Sequence, residues 1–236
     1  MTQVLRRCGA EALGTGVLVA AVIGSGIMAT RLTDDIALQL LVNALATVAA
    51  LGVMIAVLGP ISGAHFNPLV TLVELSRREL KAGEAGGYLV AQLVGALAGA
   101  GLANVMFGLP IWAASTHHRS GSGVWLGEFV ATAGLLLTIG ALMRTGRGNL
   151  GPILVPAWIG AAYFFTSSTS FANPAVSIGR ALSDSFAGIA PASLPGFIGA
   201  QVLGAAAGAA MTIVLFPGAD PDRSLDLPEA VHAHQS

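Results

Sequence analysis

Two nine-residue strings constrain this chain more than anything else in it. Gly63-Ala64-His65-Phe66-Asn67-Pro68-Leu69-Val70-Thr71 stands in the first half, and Thr169-Ser170-Phe171-Ala172-Asn173-Pro174-Ala175-Val176-Ser177 in the second. Each follows the second long apolar run of its half. Two further landmarks recur in the same order. Glu11 begins Glu-Ala-Leu-Gly-Thr on the first run, and Glu128 begins Glu-Phe-Val-Ala-Thr on the fourth. Ala91-Gln92-Leu93-Val94-Gly95-Ala96 on the third run is echoed by Ala200-Gln201-Val202-Leu203-Gly204-Ala205 on the sixth. The chain is an internal duplication. Three runs per half is an odd number, so the halves must cross a bilayer in opposite senses, and inverted repeats place a solute path at their interface.

Composition supports the bilayer. The chain is 54% hydrophobic and 10% charged, against about 25% charged in soluble domains. Six apolar runs, at roughly 8–30, 36–58, 85–107, 123–143, 150–170 and 194–216, each approach the ~20 residues that a spanning helix needs. The 31 glycines suit closely packed membrane helices. The first run follows Arg6 and Arg7 but is too long for the apolar core of a signal peptide, and it reads as an uncleaved helix. A net charge of −1 gives no field for a nucleic-acid partner. A single cysteine, Cys8, excludes an intrachain disulfide.

With the N-terminus in the cytoplasm, Arg6, Arg7, Arg77, Arg78, Lys81, Arg144, Arg147 and Arg223 lie inside, and Arg31, Arg119 and Arg180 outside. That bias obeys the positive-inside rule. The expected fold is an all-α membrane protein with six transmembrane helices and two re-entrant half-helices. A channel domain over 1–216 contains inverted repeats at about 5–110 and 120–216. The polar tail 217–236 is expected to be cytoplasmic and disordered.

Asn caps a helix and Pro presets its first φ, so Asn67-Pro68 and Asn173-Pro174 are helix starts. About ten helix-compatible residues follow each, roughly 15 Å or half a bilayer core. Such segments enter from opposite faces and meet near the middle. Non-helical backbone at that depth must sit inside protein or line a watery cavity. Two helix N-termini then turn their positive dipole ends to the pore, and Asn67 and Asn173 offer amide donors. A neutral acceptor passes. A cation meets two half-charges, each worth roughly 2 kcal/mol at about 4 Å and an effective dielectric near 20.

Ser62-Gly63-Ala64-His65-Phe66-Asn67-Pro68 and Asn173-Pro174-Ala175 resemble the paired signature loops of the major intrinsic protein family, the aquaporins and aquaglyceroporins. The resemblance spans residues 5–216. It implies a homotetramer in the bacterial inner membrane with a pore in each protomer for water, glycerol or other small neutral solutes, and no cofactor or metal. It also implies that Glu11 and Glu128 brace the backbones of the re-entrant loops. Two departures stand out. Leu69 replaces the family's usual Ala, and Val176 stands where the family carries an arginine three residues after Asn173. By spacing, the constriction falls at Thr47, Ala161, Ser170 and Val176, all small or uncharged. Ser168-Thr169-Ser170-Phe171-Ala172-Asn173-Pro174-Ala175-Val176 is similar to bacterial aquaporins associated with arsenic resistance. That likeness implies arsenous acid or methylated arsenicals as further solutes.

Other polar residues have plainer readings. His65 lines the inner vestibule as a structural donor. Arg180, one turn beyond Val176, either reaches the external mouth or anchors the external loop with Asp184 at i+4. Glu74 is its counterpart in the first repeat, with Arg78 at i+4. His117, His118 and Arg119 read as a solvated loop. A proton-coupled transporter would need titratable groups along the path, and Glu11 and Glu128 are better explained as braces. No nucleophile–base motif points to an enzyme.

Overall fold

The computed structural model describes residues 3–217. Its helices are α1 (Gln3–Leu32), α2 (Ile36–Ser62), α3 (Pro68–Ser76), α4 (Ala82–Met106), α5 (Ser122–Arg144), α6 (Gly151–Phe165), α7 (Pro174–Arg180) and α8 (Leu194–Leu215). Short 3-10 turns precede α6 and α8 at Gly148–Leu150 and Pro191–Ser193. Six helices are long and apolar enough to cross a membrane. The other two, α3 and α7, have nine and seven residues, or roughly 13 and 10 Å of helix. Most of the expected tail, from Gly218 onward, lies outside the described residues, as does Arg223.

The duplication is visible in the packing. α1 lies against α4 and α2, while α5 lies against α8 and α6. α2 and α6 join the halves, and α3 meets α7. Glycine permits the two closest crossings. A Cβ on Gly95 or Gly99 of α4 would strike the carbonyls of Ala12 or Gly16. On α8, Gly204 and Gly208 face the carbonyls of Phe129 and Ala133 in the same way. Small residues four apart let backbones touch in lipid, where burial from water supplies no force. A backbone carbonyl cannot swing aside as a side chain can. Gly208→Leu is therefore expected to destabilise the fold by about 1–3 kcal/mol or more. Gly199→Leu, on the same helix with open space around it, should leave the melting temperature in detergent unchanged.

The fifth span is shorter than its apolar run suggests. α6 ends at Phe165, and Thr166 is extended, at φ −104° and ψ 144°. Thr169, Ser170 and Ala172 then take positive φ of 62°, 53° and 48°. Ala64 and Phe66 do the same in the first repeat, at 53° and 48°. Left-handed residues cannot continue a right-handed helix, so the backbone unwinds before each Asn-Pro.

Candidate solute pore

Asn67 and Asn173 cap α3 and α7. The side-chain oxygen of Asn67 accepts from Leu69 N at 3.0 Å, and that of Asn173 from Ala175 N at 3.0 Å and Val176 N at 3.3 Å. Pro68 and Pro174 occupy the first helical position. Each amide nitrogen also crosses to the other repeat. Asn67 Nδ2 donates to Ala172 O at 2.8 Å, and Asn173 Nδ2 donates to Phe66 O at 2.7 Å. An amide nitrogen carries two hydrogens, so each Asn retains a second donor beside the pore.

Two buried carboxylates hold the unwound backbones. Glu11 accepts from His65 N at 2.9 Å, Phe66 N at 2.7 Å, Ser62 Oγ at 2.6 Å and Gln92 Nε2 at 2.8 Å. Glu128 accepts from Phe171 N at 2.8 Å, Ala172 N at 2.9 Å and Gln201 Nε2 at 2.6 Å. Gln92 reaches on to Thr71 Oγ1, and Gln201 to Ser177 Oγ, both at 3.0 Å. The backbone and glutamine bonds of the two networks are counterparts, and Ser62 Oγ is a fourth donor to Glu11. Consecutive N–H groups turned outward to a carboxylate leave the loop carbonyls without those partners.

A cavity of about 230 Å³ runs past both loops. One wall is apolar, with Leu18 and Val22 from α1, Leu51 and Ile55 from α2, Leu135 and Ile139 from α5, and Val155 and Ile159 from α6. The other wall carries Gly63, Ala64, His65 and Asn67, then Ser170, Phe171 and Asn173. No donor among the described residues reaches the carbonyls of Gly63, Ala64, His65, Ser170 or Phe171. Carbonyls away from water need donors, and these five belong to residues that line the cavity.

Thr47, Ser170 and Val176 line the cavity. Ala161 does not: it is exposed on the outer side of α6. The inward face of α6 is Val155, Ile159 and Tyr163, four residues apart, and Ala161 sits about 200° round the helix from Tyr163. Tyr163 OH donates to Thr47 Oγ1 at 3.2 Å, and Thr47 Oγ1 donates to Asn43 O at 2.8 Å. Tyr163, an aromatic residue outside the expected set of small residues, thus lines the cavity where Ala161 does not. The signal was present in the sequence. Tyr163 is one of only two tyrosines, and a tyrosine at membrane depth needs a partner for its hydroxyl.

Leu69 is buried, 4% exposed, and absent from the cavity wall. His65 lines the cavity, with Nδ1 3.0 Å from Thr71 Oγ1 and its ring edge-on to Tyr88 at 5.3 Å. Glu74 pairs with Arg77 at 3.3 Å and not with Arg78. α3 stops at Ser76 and Arg78 has φ 63°, so helical i+4 geometry does not extend that far. Arg180 lines the cavity but is 1% exposed, and its partner is not Asp184. α7 ends at Arg180, and Asp184 instead accepts from Thr116 N at 2.8 Å and Thr116 Oγ1 at 3.0 Å. Those two bonds hold the Asp184 carboxyl below its usual range. Arg119 is not a loosely solvated loop residue. It donates to Gly188 O at 2.8 Å and Phe186 O at 3.2 Å. His117 and His118 are exposed, and no cluster of metal-ligating side chains occurs among the described residues.

Six spanning helices around two facing half-helices define a multi-pass membrane protein of the aquaporin type. Residues 1–172 match the family described as "Major intrinsic protein". The chain is similar to the aquaglyceroporin AqpS of Rhizobium meliloti (strain 1021), 51% identical over 216 residues and 92% of each chain. It is 33% identical to the probable aquaporin TIP2-2 of Oryza sativa subsp. japonica over 186 residues, 74% of each chain. The fold matches the crystal structure of the aquaglyceroporin from Plasmodium falciparum with a TM-score of 0.64, at 20% identity, covering 91% of this chain and 98% of that one. The chain belongs to the major intrinsic protein family.

Proposed function

We propose that the chain is a passive channel for small neutral hydroxylated solutes: water, glycerol-like polyols and, by the same chemistry, arsenous acid or its methylated relatives. The observation that carries this reading is the two-sided pore. The loop residues whose carbonyls lack donors, and the two capping Asn, line the same cavity as the apolar side chains of α1, α2, α5 and α6. A polyol can turn its hydroxyls to the first and its carbons to the second, replacing hydration without leaving a buried polar group unpaired. Arsenous acid, neutral and with three hydroxyls, presents similar donors. Thr47, Ser170 and Val176 leave room for more than water, with Tyr163, Phe171 and Arg180 as the large groups on the same cavity.

A cation gains little in this pore. The helix ends at Asn67 and Asn173 are positive, and each amide carries a donor. Glu11 and Glu128 are committed to three or four donors apiece, which opposes a proton-relay role. The assembly we propose is a homotetramer in a bacterial inner membrane, with both termini cytoplasmic and no cofactor. Stopped-flow measurement on proteoliposomes is expected to show glycerol and arsenous acid entering faster than in protein-free vesicles. A rise in water permeability alone would refute the polyol reading.

A further inference from the structure

Arg180 brings a buried charge to the α7 end of the cavity. Its Nε donates to Ala187 O at 2.5 Å, and its guanidinium carbon lies 3.3 Å from the centroid of the Phe171 ring. Nη1 is buried and meets no acceptor among the described residues. No described carboxylate lies within ion-pair distance of it. Glu74, its counterpart at the other end of the cavity, is compensated by Arg77. One end of the pore therefore carries a paired charge, and the other an unpaired cation.

The fold holds that cation in place. Three consecutive carbonyls, on Phe186, Ala187 and Gly188, each accept from an arginine: the outer two from Arg119 and the middle one from Arg180. Arg119 also lies over the Phe171 ring, 5.4 Å from its centroid. A Cβ at Gly188 would meet Ser115 Oγ and Ser183 O, so the loop has little freedom to shift. An ionisable side chain kept unpaired at membrane depth is costly unless it serves the path. A guanidinium laid flat on a ring, with Nε tied back, presents its remaining edge.

Building on the channel reading above, we propose that Arg180 is the specificity-determining residue of the pore's α7 end. Its fixed charge repels cations, and the edge of the guanidinium that lines the cavity donates to an oxygen of the passing neutral solute. The clamp of Phe171 and Ala187 keeps its bulk against the wall, so the pore beside Val176 stays wide. Charge and width, which a side chain reaching across the lumen would set against each other, are separated here by one helical turn.

The test measures the charge with the arginine in place. In a Cys8→Ala protein, the thiol introduced by Ser170→Cys is alkylated in proteoliposomes with iodoacetate and, separately, with iodoacetamide. The ratio of the two rates, normalised to a free thiol in solution, is expected to exceed one by about threefold or more, because a nearby cation concentrates the anionic reagent. Taking a ratio removes any change in thiol reactivity common to both. In parallel, Arg180→Gln is expected to raise potassium leak by about tenfold while Arg180→Lys holds it near the original level. A protein that passes glycerol yet gives a normalised ratio of one overturns the proposal, and so does Arg180→Gln that passes glycerol without added leak. An unsubstituted protein that passes no glycerol overturns the channel reading itself, whatever the ratio.

Discussion

Glu128→Ala is expected to abolish solute flux and sharply reduce the yield of folded protein. The substitution leaves Phe171 N, Ala172 N and Gln201 Nε2 buried without their acceptor. Each orphaned donor costs about 1–3 kcal/mol, a large share of the few kcal/mol by which a typical fold is stable. The damage is not confined to stability. Ala172 O receives the Asn67 amide, so a slack loop also misplaces the donor on the opposite repeat. Glu128→Gln keeps the shape and an acceptor oxygen but turns an NH2 group toward other donors, and it should fall between the two. Size-exclusion profiles and glycerol flux per folded protein separate the effects. Full flux in folded Glu128→Ala would show that the loop holds its turn without the carboxylate. Glu11→Ala, which removes the acceptor of four donors, is expected to be at least as severe.

What the sequence made legible follows the range over which each feature is determined. Asn67-Pro68 and Asn173-Pro174 are local caps, and two residues suffice to read them. Glu11 and Glu128 are legible for another reason: the family resemblance implies that they brace the re-entrant loops. Ala161 fails because counting residues measures distance along α6 and not direction around it, and the inward face there carries Tyr163. The pairing of Arg180 with Asp184 fails because i+4 reasoning assumes a helix that continues. Ala181, Leu182 and Ser183 are all compatible with helix, and nothing local announces the stop at Arg180. The arginine clamp lies beyond any local pattern, since Arg119 reaches carbonyls 67 and 69 residues away. Such contacts exist only once the segment before α5 has packed on the loop between α7 and α8.

Val176→Arg is expected to suppress glycerol flux by at least about tenfold, the effect of roughly 1.4 kcal/mol on the barrier, while water flux falls much less. Val176 is 4% exposed and lines the cavity, so a longer side chain there has the lumen to enter. The new guanidinium finds acceptors in the wall, because the carbonyls of Ser170 and Phe171 have no donor among the described residues. Those are the groups a polyol would use, so the larger solute loses both room and partners. Water is compact and needs fewer of each. The substitution also sets a second cation one turn from Arg180. At about 6 Å and an effective dielectric near 20, that repulsion is roughly 3 kcal/mol, and a charge at membrane depth adds ~2.5–3.5 kcal/mol unless it reaches polar groups. Folding is therefore part of the measurement. Both solutes are followed in one reconstituted preparation whose oligomer size matches that of the unsubstituted protein. Equal loss for water and glycerol would indicate a damaged fold, and unchanged flux for both would make Val176 a packing residue. A selective loss of glycerol would place the width of the pore at Val176, and leave to Arg180, one turn further on, the charge that the narrower arrangement combines at a single position.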